Sequence, residues 1–323
     1  MKIALFGTSH WHAQMHMDAA LHAGGEIGCV WDEDFRQAQG FAQAHGLQAI
    51  ESFEAALATR PDLIVMMGPP STVPARAAAV IEAGIPMILE KPAISRTSDL
   101  TALRDLARAR GAFVGVPLPN RYGPALGEYA RLDAQGRAGK LAHVHFRLVN
   151  GPPQRYRDDG VGWLLDPAIG GGGALRNLGI HGIDCALMLA QGELSIVSSS
   201  IGRTIHDEPV EDYALLVLKD AVGTLFTVEA GYTYASMAPG GEFEWRVVSA
   251  NATLVDRGDA ATSVTLDDGA HRALAPEPTA TRYRLFTSDI VQRLRDGRPP
   301  AITLNDYWAA MSLIDAAYAK ANS

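Results

Sequence analysis

One short segment of the sequence carries a side chain that could act on a hydroxyl group. Lys91 stands in a Glu-Lys-Pro step directly after the apolar run 87–89, at what would be the carboxyl end of a strand. An ammonium group there can polarise or deprotonate a hydroxyl if a dry site or a neighbouring cation lowers its pKa. A solvated surface lysine is the competing interpretation, because an isolated tripeptide is a weak signal.

A second such segment begins with four glycines, residues 170–173, and ends at Asp184. Successive glycines cost entropy and contribute no packing, so they indicate a close approach of backbone. In a helix after them, Asn177, His181 and Asp184 stand at positions i, i+4 and i+7 and would form one polar stripe on an apolar helix. A buried histidine satisfied by its helical neighbours is the alternative.

The turn after the first apolar run could hold a dinucleotide. Gly7 occupies the first position of the pattern G-x-G-x-x-G, while Ser9 and His12 occupy the second and third. A small second residue still lets the backbone approach a pyrophosphate, and the following helix offers unpaired N–H groups. Asp32 lies about twenty residues further on, where a carboxylate can bind both ribose hydroxyls, which favours NAD over NADP. A turn that binds nothing remains the alternative.

Three histidines near this turn raise the question of a metal. His12 and His16 would share one helix face, and His10 lies close by. No acidic or thiol residue joins them at metal-site spacing. We therefore expect no metal, and we expect these histidines to line the cofactor turn.

Alternating strands and helices must position these groups. Between residues 2 and 116, short apolar runs without polar alternation are each followed by a helical pattern, which favours a parallel sheet covered on both faces. Beyond Asn120 the run 141–149 alternates between apolar and polar residues, and more strand-like runs follow. The sequence predicts an α/β fold: a Rossmann-type, doubly wound parallel sheet in residues 1–119, then an α+β domain on a large open mixed or antiparallel sheet in residues 120–323.

Composition excludes several classes of protein. The 323 residues are 47% hydrophobic and 20% charged, which is typical of a globular chain. A net charge of −8 would repel a phosphate backbone, so we expect no nucleic acid partner. The longest apolar runs are too short to span a bilayer, so we expect no membrane partner. Cys29 and Cys185 lie inside apolar segments, which fits a cytoplasmic protein without disulfides.

Taken together, these segments resemble the Gfo/Idh/MocA family of nicotinamide-dependent oxidoreductases over nearly the whole chain. The resemblance rests on the first turn, Asp32, Pro70-Ser71, Glu90-Lys91-Pro92, Asn120-Arg121-Tyr122 with Pro124, the glycine run with its helix, and the Gly-Arg-Pro-Pro sequence at 297–300. It implies a Rossmann domain joined to a domain whose open sheet forms a subunit interface. A homodimer or homotetramer is the corresponding expectation.

The resemblance also implies the chemistry. A hydride would pass between the nicotinamide of NAD and a secondary alcohol or ketone of a sugar, a polyol or a related small molecule. Lys91 would hydrogen-bond the reacting oxygen and His181 would exchange its proton, and the Lys91–Pro92 peptide would be cis. Asn177 stands where many relatives have an aspartate, and an amide cannot act as a base.

The resemblance and the positions together define the candidate site. The expected cofactor contacts are Gly7, Thr8, Ser9, His10, Trp11, His12, Asp32, Gly68, Pro69, Pro70, Glu90 and Lys91. The expected substrate contacts are Lys91, Arg121, Tyr122, Arg157, Trp163, Asn177, His181 and Asp184, of which Lys91, His181 and Asn177 are the catalytic candidates. Two other functions stay open: a redox-neutral NAD-dependent glycosidase or lyase, and a dinucleotide-binding protein without catalysis.

Overall fold

The computed structural model describes residues 1–238, 240–267 and 269–321. The chain divides into two compact units, and each is discontinuous in sequence. The first contains Met1–Pro117, Tyr156–Gly171 and Tyr283–Trp308, and the second contains Leu118–Arg155, Gly172–Arg282 and the chain from Ala309 on. Within the described part of the chain, no helix is both long and apolar enough to cross a membrane.

The first unit is built on a parallel sheet of five strands. Its strands are β1 (Lys2–Phe6), β2 (Glu26–Trp31), β3 (Leu63–Met66), β4 (Met87–Leu89) and β5 (Val114–Gly115). They lie in the order β2-β1-β3-β4-β5, and every neighbouring pair is parallel. The order reverses between β1 and β3, and ligands of open α/β sheets bind outside the carboxyl ends of the strands at such a point.

Helices connect these strands as the periodicity predicts. They are α1 (Ala13–His22), α2 (Phe35–His45), α3 (Phe53–Ala58), α4 (Val73–Glu82) and α5 (Thr97–Arg110). Ser52 caps α3, because its hydroxyl accepts the Ala55 N–H at 3.1 Å. The first turn of α5 is polar, and the buried residues of this helix begin at Leu100.

An open sheet of eight strands forms the second unit. Its strands are β6 (Leu141–Asn150), β7 (Ser195–Gly202), β8 (Tyr213–Lys219), β9 (Leu225–Gly231), β10 (Gly241–Ser249), β11 (Ala252–Asp256), β12 (Ala261–Thr265) and β13 (His271–Leu274). The order is β13-β12-β11-β10-β6-β9-β8-β7. Strands β6 and β9 pair in parallel and the other neighbours are antiparallel. The predicted mixed sheet is confirmed.

The sequence patterns missed β11 and β13. Strand β11 follows β10 after only two residues, and its alternation of buried and half-buried positions is five residues long. Strand β13 lies at the sheet edge, and three of its four residues are exposed. An exposed edge strand has no buried face and therefore gives no apolar pattern.

The remaining helices include the helical segment that follows the glycine run 170–173. They are α6 (Pro124–Ala134), α7 (Gln154–Asp158), α8 (Ile180–Leu189), α9 (Thr279–Arg295) and α10 (Leu304–Ala321). The helix predicted after the glycine run is not uniform, because Leu175–Gly179 is a π-helix that leads into α8. A capping box precedes α10: the Thr303 N–H and hydroxyl donate to Asp306 Oδ2 at 2.8 and 2.6 Å.

Candidate active site

The first turn requires a glycine at its first position. Gly7 has φ +93°, and a Cβ atom there would lie 2.2 Å from the Met67 carbonyl oxygen at the end of β3. Its N–H donates to the Trp31 carbonyl at 2.7 Å, so the turn is tied to both neighbouring strands. The Thr8 hydroxyl is buried and has no partner among the described residues. A buried hydroxyl without a partner is costly, so this turn suits a ligand with hydrogen-bonding oxygens.

Asp32 lies at the carboxyl side of β2 and faces the same turn. Its Oδ2 accepts the Ser9 N–H at 2.7 Å and its Oδ1 accepts the Asp34 N–H at 3.0 Å. An ionised carboxylate has about four acceptor positions, so these two bonds leave capacity for the two hydroxyls of a ribose.

The acidic residues after Asp32 each have a basic partner. Glu33 accepts from Arg76 at 3.0 and 3.3 Å, and Asp34 accepts from Arg36 at 3.1 Å. Asp32, in contrast, accepts only backbone N–H groups among the described residues.

The end of β3 forms the other side of the point where the strand order reverses. Gly68 follows β3 with φ +133°, a conformation that favours glycine. The Pro69 carbonyl then accepts N–H groups from Thr72 and Val73 at 3.1 and 3.2 Å, which starts α4. The predicted cofactor segment 68–70 therefore lies at the same edge of the sheet as the first turn.

Lys91 follows β4 at this edge and is almost fully buried. It is 3% exposed, and the cis peptide predicted between it and Pro92 is confirmed. Burial lowers the pKa of Lys91 from 10.5 to about 8, against the attraction of the Glu90 carboxylate, which raises it. A lysine with such a pKa can both donate a hydrogen bond and exchange a proton near neutral pH.

Glu90 lies in a buried polar cluster with α1 and α9. His16 Nε2 lies 2.5 Å from Glu90 Oε2, and the Tyr283 hydroxyl donates to the two carboxylate oxygens at 3.5 and 3.3 Å. The Lys91 N–H donates to Oε1 at 3.0 Å. The Tyr283 hydroxyl also lies 3.0 Å from His12 Nδ1. Sequence reasoning missed Tyr283, because no local pattern connects it with α1.

Titration in this cluster follows from burial and hydrogen bonding. Burial raises the pKa of Glu90, but hydrogen bonds from His12 and His16 outweigh that effect and hold it well below its usual range. Burial lowers the pKa of His12, and burial together with His12 lowers that of His10 well below its usual value. No group of three or more His, Cys, Asp or Glu among the described residues is arranged to hold a metal ion.

Aromatic rings surround the outer part of the first turn. Trp11 stacks on His10 with ring centroids 3.9 Å apart. Tyr156 and Trp163 lie 6.4 and 6.0 Å from the Trp11 ring. The fold thus brings together Trp11, predicted for the cofactor, and Trp163, predicted for the substrate. Arg157, on α7, is exposed.

The glycine run makes the close approaches that its composition predicts. A Cβ atom on Gly172 would lie 2.3 Å from the Tyr318 hydroxyl, and one on Gly173 would lie 2.2 Å from the Glu211 carbonyl oxygen. The Glu211 carboxylate accepts the N–H groups of Gly173 and Leu175 at 2.8 and 2.9 Å. Glu211 therefore satisfies the backbone at the start of the π-helix, a role that sequence reasoning missed.

Asn177, His181 and Asp184 are all buried on this helical segment. The π-helix interrupts the α-helical spacing between Asn177 and His181, and such turns are frequent at functional sites. The Asn177 amide donates to the Tyr232 hydroxyl at 3.1 Å. Tyr232 is a further contact that the sequence did not reveal.

Arg121 and Asp184, both predicted for the substrate, form an ion pair with each other. Arg121 Nε donates to Asp184 Oδ2 at 2.8 Å, and a second bond joins Nη2 to Oδ1. Asn120, next in the chain, accepts from Arg282 at 2.8 Å. Tyr122 is the last residue of a short 3₁₀-helix, Pro119–Tyr122, and is half-buried. Asn120 and Arg121 therefore make contacts that stabilise the second unit itself.

Comparison with known sequences identifies the family. Residues 1–117 match the oxidoreductase family with the NAD-binding Rossmann fold, and residues 128–255 match the GFO/IDH/MocA C-terminal domain. The chain belongs to the Gfo/Idh/MocA family. The family resemblance predicted from the motifs is confirmed, and so is the fold.

Individual relatives are more distant. This Gfo/Idh/MocA chain is similar to the trans-1,2-dihydrobenzene-1,2-diol dehydrogenase of Oryctolagus cuniculus, with 30% identity over 199 residues, or 60% of this chain and 57% of the rabbit enzyme. The matched region thus spans less than two thirds of that relative.

Solved structures share the fold over the whole chain. A levoglucosan dehydrogenase in complex with NADH and levoglucosan has a TM-score of 0.87 at 17% identity, and the match covers 100% of this chain and 97% of that one. An oxidoreductase from Agrobacterium radiobacter in complex with NAD+, L-tartaric acid and magnesium has a TM-score of 0.86 at 18% identity, with 100% and 96% covered.

Proposed function

We propose that this chain is an NAD-dependent dehydrogenase or reductase that acts on a secondary alcohol or ketone of a sugar, a polyol or a related small molecule. The observation that carries the proposal is Lys91, a buried lysine with a pKa of about 8 at the carboxyl end of β4. It lies at the sheet edge that also presents Gly7 and Asp32. Nicotinamide cofactors bind at this edge in the family to which the chain belongs.

The cofactor would be held by the first turn and by the ends of β2 and β3. Gly7 allows the backbone to approach a pyrophosphate, and the buried Thr8 hydroxyl offers a donor without a protein partner in the described chain. Asp32 would bind the ribose hydroxyls, which favours NAD over NADP. When bound, NAD supplies a hydride acceptor at C4 of its nicotinamide ring. His10, Trp11 and residues 68–70 would complete the contacts.

Lys91 and His181 are the proposed catalytic residues. A ring nitrogen of His181 would accept the hydroxyl proton, and the hydride released from the same substrate carbon would go to the acceptor that bound NAD supplies. The Lys91 ammonium donates a hydrogen bond to the oxygen and stabilises the negative charge that develops there. Asn177, bonded to Tyr232, positions the helix but cannot serve as a base.

Substrate contacts follow from the residues near these groups. Trp163, beside Trp11, offers an aromatic surface for the apolar face of a ring-shaped substrate. Arg121, Tyr122, Arg157 and Asp184 remain the other candidate contacts, and the Arg121–Asp184 pair would act by shaping the site. The diol dehydrogenase and the levoglucosan dehydrogenase that this chain resembles are named for cyclic compounds with hydroxyl groups of this kind.

The roles of the two domains, the assembly and the location of the protein are also proposed. Residues 1–119 would bind the dinucleotide and residues 120–323 would bind substrate. The open eight-stranded sheet supports assembly as a homodimer or homotetramer. A cytoplasmic location is proposed from Cys29 and Cys185, both of which are buried free thiols.

The test is turnover of a panel of polyols and sugars, including levoglucosan, inositols and cyclic diols, measured as NADH formation. Lys91→Ala is expected to abolish turnover, because it removes the donor to the reacting oxygen, while NAD affinity measured by titration stays nearly unchanged. The exposed Lys140 provides a matched control as Lys140→Ala, with normal turnover.

Three outcomes would overturn the proposal. Unchanged turnover in Lys91→Ala would remove this lysine from the mechanism. Cleavage of a glycosidic bond without net change in the cofactor would replace the dehydrogenase by a redox-neutral glycosidase or lyase. NAD binding without turnover of any panel member would favour a non-catalytic dinucleotide-binding protein.

A further inference from the structure

Glu90 is surrounded by donors that come from three separate parts of the first unit. It is 2% exposed, and its oxygens face His16 from α1, Tyr283 from α9 and the N–H of Lys91. A buried carboxylate with these donors is stabilised in its ionised form. Ionised Glu90 therefore places a negative charge beside the backbone of Lys91.

Two histidines of this cluster, His10 and His12, do not supply the compensating positive charge. Burial lowers the pKa values of His10 and His12, so both are neutral near pH 7. His16 Nδ1 is buried and has no partner among the described residues. His16 contacts the Glu90 carboxylate through its other ring nitrogen, Nε2, at 2.5 Å.

Lys91 is the charged residue whose backbone is bound to Glu90, because its N–H donates to Glu90 Oε1 at 3.0 Å. The two residues are adjacent in the chain, both are buried, and the attraction between their charges opposes the loss of the lysine's proton. Tyr307 binds the backbone two residues after Lys91, where its hydroxyl accepts the Ala93 N–H at 3.1 Å. The backbone on both sides of Lys91 is thus fixed by side chains from the first unit.

We propose that Glu90 is the fixed counter-charge of the Lys91 ammonium, and that Tyr283 and His16 are positioning residues that hold the Glu90 carboxylate ionised and in place. The proposal rests on the proposed function only in taking Lys91 as the catalytic lysine. It assigns Glu90 to the lysine instead of to the cofactor. It also accounts for His12, which stands at a glycine position of the dinucleotide pattern. His12 contacts the Tyr283 hydroxyl inside the first unit, and so belongs to the cluster around Glu90.

The experiment measures the protonation of Lys91 directly in the intact protein, without substrate. The amine is labelled competitively with acetic anhydride over a range of pH, and the extent of labelling at Lys91 is read by peptide mass spectrometry. In the wild type the midpoint is expected near pH 8. Glu90→Gln keeps the size of the side chain and removes its charge, so the midpoint should fall by roughly one pH unit.

Tyr283→Phe and His16→Leu test the positioning roles. Each removes a donor to Glu90, so each should move the midpoint in the same direction by a smaller amount. In a Glu90→Gln background, Tyr283→Phe should have no further effect, because the charge that it holds is already gone. The matched control is Tyr307→Phe, which removes a hydroxyl bound to backbone and should leave the midpoint in place.

The outcomes separate this proposal from the proposed function. An unchanged midpoint in Glu90→Gln would overturn the counter-charge, and equal shifts from Tyr283→Phe with and without Glu90 would overturn the positioning role. If Lys91→Ala keeps its turnover while Glu90→Gln still shifts the midpoint, the catalytic role fails and the counter-charge stands. In the active enzyme, the alkaline limb of kcat should move to lower pH in Glu90→Gln.

Discussion

Replacing Lys91 by methionine is expected to stabilise the folded protein while it removes activity. The side chain is 3% exposed, and its pKa falls from 10.5 to about 8. This difference corresponds to a destabilisation of about 3 kcal/mol while the lysine carries its proton in both the folded and the unfolded chain. Methionine has a similar length and no charge to bury, so Lys91→Met should recover up to about that amount.

The pH dependence of this gain follows from the two pKa values. Below pH 8 the lysine is protonated in both states, so the wild type carries the full penalty. Between pH 8 and 10.5 the folded chain loses the proton first and the unfolded chain binds more protons, so wild-type stability rises with pH. The advantage of Lys91→Met should therefore be largest at pH 7 and should shrink as the pH rises towards 10.5.

Calorimetry of the NAD-free protein at pH 7 and pH 9.5 measures the effect as a difference in Tm. At pH 7 the variant should melt several degrees above the wild type, and the difference should narrow at pH 9.5. Lys140→Met replaces an exposed lysine and should change Tm little at either pH. A variant that is less stable than the wild type, or a gain that does not depend on pH, would refute the argument that Lys91 is a buried cation.

Two further predictions concern the cofactor and the second unit. Asp32→Ser should weaken NAD binding roughly 10- to 100-fold, because charge-assisted hydrogen bonds are lost. The same change should raise kcat/KM with NADP relative to kcat/KM with NAD. The control Asp34→Ser should change neither the NAD affinity nor this ratio. Asp184→Ala should cost about 3 kcal/mol in thermal or denaturant unfolding, because it removes the carboxylate that binds a largely buried guanidinium through two of its nitrogens. The double variant Asp184→Ala/Arg121→Met should lose less free energy of unfolding than the sum of the losses in the two single variants. Losses that add exactly would contradict a direct interaction between the two side chains.

The family and the fold could be predicted because their signals are local. A buried parallel strand needs a continuous apolar run, and a helix needs apolar residues every three or four positions, so both can be seen within a few residues. Glycines mark positions where a side chain would collide with backbone, as Gly7 and Gly173 do. The exposed edge strand β13 and the π-helix 175–179 have no comparable pattern and were missed.

The sequence by itself determined which groups could act: a lysine after β4, a histidine on an apolar helix, an acid after β2 and a glycine in the first turn. Only the tertiary structure decided what surrounds them. Glu90 and Tyr283 are separated by 193 residues, and Arg121 and Asp184 by 63. Buried charges require partners, and the folded chain supplies those partners from distant segments. Spacing along the chain cannot reveal them, because the contact exists only once the packing has formed.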